Sequence, residues 1–225
     1  MKTNLCLSHI ISPNAPSYGN RDRFILGTNS SIQQGESSNS STWVFTNNHL
    51  GTHIDVPYHF CEKGKRTFEI PIANYIFSMV QLIDIPCTAA RLIGIKDLIK
   101  SGQINKEIEL LLIRTGFEAL RYEDCYWNDN PGLDAELATY FRENFTNLRC
   151  IGFDFISLTS WKYRIEGRES HLAFLCPGRR KRPILVIEDM SLKFLSNKIN
   201  WVIVAPLFVE DGNGGPVTVF ANQNS

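Results

Sequence analysis

The sequence predicts a mixed α+β fold, built as a single domain over residues 1–225. Apolar runs of strand length outnumber the segments with helical spacing, and the helical segments fall at irregular intervals between them. A doubly wound α/β fold would instead alternate strands and helices regularly. With 225 residues, 43% of them hydrophobic, the chain is long enough to bury one substantial core. A mixed sheet with flanking helices is therefore expected.

Short runs of β-branched and other apolar residues predict most of the strands. After a first strand at the N-terminus, they cover residues 75–86, 108–116, 148–155, 182–192 and 201–210. Residues 27–45 are rich in Ser, Asn and Gln, which predicts an exposed loop that leads into a strand.

Two segments have the spacing of an amphipathic helix. Ile95, Leu98 and Ile99 share one helical face, and Gly102 follows as a stop signal. Residues 133–144 repeat the pattern with apolar side chains three and four positions apart.

The charge balance excludes some classes of partner. Lys and Arg together number 23, as do Asp and Glu, so the formal net charge is zero. Such a chain has no general attraction to nucleic acid or to an anionic membrane. No apolar run reaches the roughly 18–20 residues that span a bilayer, and the N-terminus is too polar for a signal peptide. A cytoplasmic protein that acts on a small molecule is expected.

Six cysteines are spread singly along the chain, without a Cys-x-x-Cys pair. This pattern argues against a disulfide framework and against a thiolate zinc site. Most of the cysteines are expected to be small buried thiols in a reducing compartment.

Three of the five histidines lie within eleven residues, in "NNHLGTHIDVPYHF". On an extended chain His49, His53, Asp55 and His59 all point the same way, because the side-chain period is two. Imidazole nitrogens and carboxylate oxygens are the usual ligands of Zn²⁺ and Mn²⁺. We therefore expect a metal site on a strand that turns into a loop; the alternative is a set of unrelated surface or capping histidines.

The segment "HLGTHIDVPYHF" resembles the signature of the metal-dependent cyclase family, which includes bacterial kynurenine formamidases and isatin hydrolases. The similarity continues through "LSHIISPNAPSYG", "LLIRTGF", "IGFDFISL" and "PLFVEDGNGGPVTVFA", and so runs along essentially the whole chain. Membership would imply the family's swivelling β/β/α fold and assembly into a homodimer or homotetramer.

The resemblance also implies roles for individual residues. His49, His53 and Asp55 match ligands of a first metal, Asp55 is able to bridge to a second, and His59 matches the general acid/base. Downstream, His171 and Glu188 match a histidine ligand and a bridging glutamate. The ion would be Zn²⁺ as first choice or Mn²⁺ as the alternative, one or two per chain.

One departure from the family pattern affects this assignment of ligands. His171 and Glu188 lie further apart than the family usually has them, which indicates an insertion from Gly178 to Pro183. Glu188 could instead be an exposed carboxylate at a strand end, with Glu166 or Glu169 in its place. The inserted loop carries Arg179, Arg180, Lys181 and Arg182, and its ends are expected near the mouth of the site. The four charges should either stand at the rim, where they would favour an anionic substrate, or extend away from it.

The implied activity is hydrolysis of an amide-like C–N bond, as in an arylformamidase, with metal-activated water as nucleophile. The alternatives are a ring-opening hydrolase or cyclase acting on a cyclic amide, a lactone or a polyketide-like substrate, and a binding protein that has kept the fold without catalysis. A second departure lies in the substrate loop, where family formamidases tend to carry Trp-Pro-Gly and this chain has Tyr18-Gly19-Asn20. Tyr18 keeps an aromatic wall against the substrate, but the size of the wall and the turn change, which leaves the substrate open. Asp154 and Ser157 are expected to orient the ligands, unless they serve turns and caps.

Overall fold

The structure is a computed structural model and describes residues 2–178 and 181–224. Its strands are β1 (Lys2–Cys6), β2 (Phe24–Ser30), β3 (Ser40–Phe45), β4 (His53–Asp55), β5 (Ile76–Phe77), β6 (Val80–Asp84), β7 (Leu92–Ile93), β8 (Leu110–Arg114), β9 (Gly132–Leu133), β10 (Cys150–Phe153), β11 (Leu185–Glu188), β12 (Ile199–Pro206) and β13 (Gly214–Asn224). Its α-helices are α1 (Ile95–Lys100), α2 (Cys125–Asn128), α3 (Glu136–Asn144) and α4 (Arg164–Leu175).

One mixed sheet organises the molecule, in the order β5-β12-β13-β4-β11-β10-β8-β6, with β1 added alongside β13. The ladders from β6 through β8 and β10 to β11 are parallel, whereas those of β4, β13, β12 and β5 are antiparallel. The first and last strands of this order, β5 and β6, are joined by Ser78 and Met79 alone. The sheet must therefore curl until its two ends almost meet.

The two faces of the sheet have separate cores, which follows from the alternation of side chains along a strand. Leu110 and Leu112 of β8 belong to the cluster inside the curled sheet. Leu111 and Ile113 belong to the outer cluster, which packs against α3 and α4 through residues such as Phe141 and Phe174. A strand buried on both faces reads as an unbroken apolar run, and "LLLIR" is such a run.

The predicted α+β class is confirmed, and the structure corrects two of the predicted elements. Residues 27–45 were predicted as a loop but form most of the β2–β3 hairpin. Both faces of this ribbon are largely exposed, so the sequence lacks the alternation that marks a strand with one buried face. Residues 75–86 were predicted as one strand but form β5 and β6, because the chain crosses from one end of the sheet to the other at Ser78 and Met79.

Helix α4 was not predicted. Its buried positions are Gly167, Ser170, His171, Phe174 and Leu175. Only the last two are large and apolar, so no hydrophobic stripe marks the first half of the helix. Within residues 2–178 and 181–224, no helix is long and apolar enough to span a membrane.

The prediction that the cysteines are isolated thiols is wrong for one pair. Cys61 and Cys176 form a disulfide across 115 positions of sequence. Cys87 and Cys150 are buried free thiols as expected, but Cys6 is exposed. Spacing along the chain could not reveal the pair, because only the fold brings the end of α4 against the turn that follows β4.

Candidate metal centre

Strand β4 places two of the predicted ligands side by side. His53 and Asp55 are two positions apart and so share one face of the strand. On the neighbouring strand β11, Glu188 is the direct partner of His53 in the ladder. All three side chains are at least 95% buried. The strand register thus brings an imidazole and two carboxylates together at the centre of the sheet.

Helix α4 supplies the next imidazole, from the other side. His171 Nε2 lies 3.4 Å from Asp55 Oδ2 and 3.6 Å from Glu188 Oε1. Its Nδ1 donates to the carbonyl of Gly167 at 2.9 Å and lies 3.1 Å from Thr159 Oγ1. Gly167 also lets the helix approach closely, since a Cβ there would lie 2.4 Å from the Thr159 side chain.

The histidine nitrogens that face the carboxylates have no proton of their own in the neutral ring. His53 Nδ1 lies 2.8 Å from the carbonyl of Gly51, which can only accept a hydrogen bond. In neutral His53 the proton is therefore on Nδ1, and a bare Nε2 lone pair faces Glu188 Oε2 at 3.3 Å and Asp55 Oδ1 at 3.6 Å. His171 repeats this arrangement. Lone pairs that face each other repel, so a proton or a cation must lie between them.

A divalent cation fits these spacings. Two ligand atoms that each lie roughly 2.1 Å from one tetrahedral ion are about 3.4 Å apart, and the contacts of His53 and His171 with the carboxylates span 3.3–3.6 Å. The backbone N–H of Leu158 also donates to Glu188 Oε1 at 2.7 Å, which fixes the carboxylate. Hydrogen bonds of this kind to the far side of the ligands are typical of metal sites.

His49 completes the predicted set from the loop before β4. Its Nδ1 lies 2.7 Å from Asp55 Oδ1, and its Nε2 lies 3.0 Å from Oδ1 of Asn213. The ring packs against the backbone of β13, where a Cβ at Gly214 would come within 2.6 Å of His49 Cε1. Gly214 is thus the residue that leaves room for this imidazole.

Two groups of ligand atoms share Asp55. One consists of His53, Asp55 and Glu188, the other of His49, Asp55 and His59, and in each the atoms lie within 4.8 Å of one another. A carboxylate common to both is consistent with one ion or with two. The second group also puts His59 within reach of a cation, so the geometry alone does not separate a ligand from a general acid/base at this position.

The two buried carboxylates and the imidazoles around them shift one another's pKa values. Burial disfavours charged His53, but Glu188 and Asp55 outweigh it and raise the pKa of His53 to about 9. Burial is likewise outweighed by Asp55 and Glu188 at His171, whose pKa rises to about 10. Burial favours neutral Asp55, yet the imidazoles of His59, His49 and His171 hold its pKa well below its usual value. Protons on the histidines here occupy the place that a cation would take.

His59 differs from the other imidazoles. It ends the turn at Pro57–His59, and its ring stacks on that of His49 with centroids 4.0 Å apart. Burial lowers the pKa of His59 to about 4, despite the opposing charge of Asp55. At pH 7 this ring is neutral and able to accept a proton.

One cavity of about 660 Å³ is lined by all six predicted ligand and acid/base residues, which are His49, His53, Asp55, His59, His171 and Glu188. Tyr18 and Ser157 line it too, as their predicted roles require, and Ser157 Oγ lies 3.4 Å from Glu188 Oε1. Glu166 and Glu169 are exposed on α4, so Glu188 is the glutamate that reaches the site. The expectation for Asp154 is not met. Its carboxylate accepts hydrogen bonds from Thr115 and Gly116, which tie β10 to the end of β8, and it contacts none of the predicted ligands.

The charges of the inserted loop were expected at the rim of this cavity or extended away from it, and its described residues take the second position. Lys181 and Arg182 line a separate cavity of about 930 Å³, next to Cys61 and Cys176. Arg182 donates to the carbonyl of Phe145, which holds it against the body of the protein. Arg179 and Arg180 lie outside the described residues.

Sequence reasoning missed a buried ion pair beside the site. Asp189 directly follows Glu188 and adopts a left-handed backbone, with φ of 52°. Arg121 donates to both of its carboxylate oxygens, at 2.9 and 2.7 Å, and the hydroxyl of Tyr126 donates at 2.5 Å. This network fixes the end of β11, and hence Glu188. A positive φ at a non-glycine residue leaves no mark in a single sequence.

The comparisons with known proteins agree with this geometry. The model of the Cyclase family matches residues 5–159, which include His49, His53, Asp55 and His59. This chain belongs to the cyclase family. Over 170 residues this chain is 31% identical to a kynurenine formamidase of Bacillus cereus, a match that covers 75% of this chain and 73% of the relative. His171 and Glu188 lie beyond the matched range, and their placement comes from the structure.

Solved structures share the fold of this chain over its whole length. Isatin hydrolase A from Labrenzia aggregata superposes with a TM-score of 0.79 at 19% identity, covering 100% of this chain and 94% of that one. A protein described as a predicted metal-dependent hydrolase from Bacillus stearothermophilus superposes with a TM-score of 0.76 at 21% identity, covering 100% of both chains. The swivelling fold expected from the resemblance is therefore confirmed.

Proposed function

We propose that this protein is a metal-dependent hydrolase of amide-like C–N bonds, with an activity like that of an arylformamidase. The observation that carries the proposal is the pair of bare Nε2 lone pairs, on His53 and His171, that face Asp55 and Glu188 at the floor of a cavity. Such a floor binds a cation and leaves room for a small molecule above it.

Five residues would bind the metal, and others would hold these ligands in place. His49, His53, Asp55, His171 and Glu188 hold the ion, Zn²⁺ as first choice or Mn²⁺, as one ion or as two that share Asp55. When bound, the cation lowers the pKa of a coordinated water and polarises a substrate carbonyl. Ser157 and the N–H of Leu158 hold Glu188, and the carbonyls of Gly51 and Gly167 hold the two histidines in one tautomer.

His59 would move the proton. Neither of its ring nitrogens has a hydrogen-bond partner among the described residues, so both are free to meet water or substrate. As a neutral base it can take the proton of the attacking water and then deliver it to the leaving nitrogen. Tyr18, packed edge-on against Trp161 with ring centroids 5.1 Å apart, gives an aryl substrate an aromatic wall.

A ring-opening hydrolase is the second candidate. The fold neighbour from Labrenzia aggregata is an isatin hydrolase, and isatin contains a cyclic amide fused to an aromatic ring. The same floor and the same aromatic wall suit both chemistries, because each breaks a C–N bond next to an aryl group. A binding protein without catalysis is the third, and would take up metal and ligand without turnover.

A panel assay tests these candidates. Metal-free protein, reloaded with Zn²⁺ or Mn²⁺, is incubated with N-formylkynurenine, formanilide, isatin and an aryl lactone, and products are followed by chromatography. We expect release of formate from the aryl formamides, and its loss in EDTA. Turnover of isatin alone would favour the ring-opening candidate, and metal uptake with no turnover of any substrate would favour the binding protein.

We also propose that this protein forms a homodimer or homotetramer. Trp43 is 68% exposed and Ile25 53% exposed on the β2–β3 hairpin, beside Leu26 and Val44, which supports a contact between copies at this ribbon. Light scattering after gel filtration measures the assembly directly.

Two observations about the cellular location point in opposite directions. The sequence favours the cytoplasm, whereas a disulfide between Cys61 and Cys176 is typical of an oxidising compartment. We propose the cytoplasm, with this pair reduced there. Trapping free thiols in acid-quenched cells would show whether the pair is oxidised.

A further inference from the structure

Three arginines line the mouth of the catalytic cavity, and the metal centre uses none of them. They are Arg21, in the loop after Tyr18, and Arg164 and Arg168 on α4. On a helix, residues four apart lie on one face, and so do residues three apart. Arg164, Arg168 and His171 are therefore aligned along the face of α4 that borders the cavity.

The helix sets the spacing of these residues along the cavity wall. Arg168 lies three residues before His171 and Arg164 seven before it, so their backbone positions are roughly 4.5 and 10.5 Å from that of His171 along the helix axis. Both arginines line the same cavity as His171.

These arginines have no carboxylate partner within the described parts of the chain. The arginines that do form ion pairs there are Arg66, Arg91, Arg114, Arg121 and Arg149. Asp22 is the acidic residue that shares the cavity mouth, and its Oδ2 accepts a hydrogen bond from Asn47 at 3.2 Å. The guanidinium groups of α4 are therefore free to bind an anion.

Stacking on Trp161 holds Arg164 and Arg21 near one another without using their hydrogen bonds. Arg164 lies over the ring of Trp161, 5.0 Å from its centroid, and Arg21 lies 5.8 Å from the same centroid. A cation over an aromatic face keeps its N–H groups available at the edge. The same cavity is also lined by apolar groups that include Phe60, Ile156 and Ile165.

We propose that Arg164 and Arg168 bind a carboxylate of the substrate, which is then an aromatic amide with an acid group remote from the hydrolysed bond. A guanidinium group matches a carboxylate with two parallel hydrogen bonds, and the apolar walls fit the aryl body between the two charged ends. This inference rests on the proposed hydrolase activity. It names the substrate class and the residues that select it.

A matched pair of substrates tests the proposal. The kinetics of 4-formamidophenylacetate and of its neutral primary amide are measured with the metal-loaded wild-type protein and with Arg164→Gln/Arg168→Gln. Because the arginines are exposed, we expect KM for the acid to rise about 10-fold in the variant. KM for the amide and kcat for both should change less than about twofold. Equal changes for both substrates, or none for either, would overturn the proposal.

The control is a double substitution on the same helix. Glu166 and Glu169 are exposed on α4 and do not line the cavity, so Glu166→Gln/Glu169→Gln should leave both KM values unchanged. The melting temperatures of both variants show whether the fold is intact.

A binding measurement separates this proposal from the proposed function. Calorimetry with phenylacetate and phenylacetamide reports on the arginines without any turnover. If neither formamide is hydrolysed but phenylacetate binds more tightly to wild type than to Arg164→Gln/Arg168→Gln, the arginines bind the carboxylate and the proposed activity fails. If the amide is hydrolysed as efficiently as the acid and phenylacetate binds no better than phenylacetamide, the activity stands and the arginine assignment fails.

Discussion

His53 and Glu188 are direct partners across the β4–β11 ladder, and the Nε2 of the imidazole lies 3.3 Å from Oε2 of the carboxylate. The strand pairing fixes this relationship, since a slip of one residue would turn every side chain of β11 to the opposite face. The proposed ion therefore lies against two paired strands at the centre of the sheet.

Replacing Glu188 with Gln should weaken metal binding while preserving the fold. The amide keeps the shape but loses the charge that would balance the cation, and loss even of a group behind the ligands typically costs about 10–100-fold in metal affinity. We expect at least about a 10-fold rise in the Zn²⁺ dissociation constant, measured by competition with a chelating dye. Glu169→Gln, exposed on α4, is the control. Unchanged affinity in Glu188→Gln would remove this residue from the site.

Replacing His59 with Ala should separate catalysis from metal binding. If His59 only transfers protons, turnover falls by roughly 10²–10⁴-fold and the metal content stays that of wild type. Elemental analysis of the dialysed protein, alongside the formamide assay, measures both quantities. A parallel loss of metal would make His59 a ligand, as its position beside His49 and Asp55 permits.

Gly214→Ala should disturb the site through His49 and through the backbone of β4. The added methyl would lie 2.6 Å from His49 Cε1 and 2.6 Å from the carbonyl oxygen of Ile54, so the ring must move away from Asp55 and the strand must shift. We expect weaker metal binding together with a loss of stability. Gly215→Ala is the matched control, because φ is positive there too and its Cβ would come no closer than 4.0 Å to Leu207. Wild-type metal affinity in Gly214→Ala would show that His49 is not a ligand.

The metal-free protein should lose stability as the pH rises above neutrality. His53 and His171 have pKa values of about 9 and about 10 in the folded chain, against about 6.5 when unfolded. Their contribution to folding is complete below about pH 6.5 and is lost as the pH passes through the two folded values. Bound Zn²⁺ replaces these protons, so the loaded protein should show a shallower loss.

Urea unfolding at pH 6.0 and pH 9.5, with and without Zn²⁺, measures this dependence. The same fall in stability for both forms would contradict it.

Reduction of the disulfide should destabilise the protein. A bond between Cys61 and Cys176 closes a loop of 115 positions, and native disulfides typically contribute about 2–4 kcal/mol. In a chain of this length that corresponds to a fall of roughly 5–15 °C in Tm. Calorimetry with and without a phosphine reductant measures it, and Cys61→Ser/Cys176→Ser should not respond to the reductant. An equal response in the double variant would assign the effect elsewhere.

The sequence predicted the parts of the fold that local patterns encode. "LLLIR" identifies β8 because a strand buried on both faces must be continuously apolar. The hairpin at residues 24–45 and helix α4 were missed, because neither has the periodic contrast between a buried apolar face and a polar one. A ribbon exposed on both faces, and a helix that buries Gly, Ser and His, carry no such contrast.

By itself the sequence determined the chemistry of the site. The spacing of His49, His53, Asp55 and His59 and the likeness to the cyclase family named the donor set, and both follow from residue identity. Only the tertiary structure decided which glutamate lies beside these residues, because Glu188 pairs with His53 through a ladder between strands remote in sequence. The same is true of the Cys61–Cys176 bond and of the arginines at the cavity mouth. Distances between segments remote in sequence are set by how the sheet curls and where α4 packs, and no local pattern encodes them.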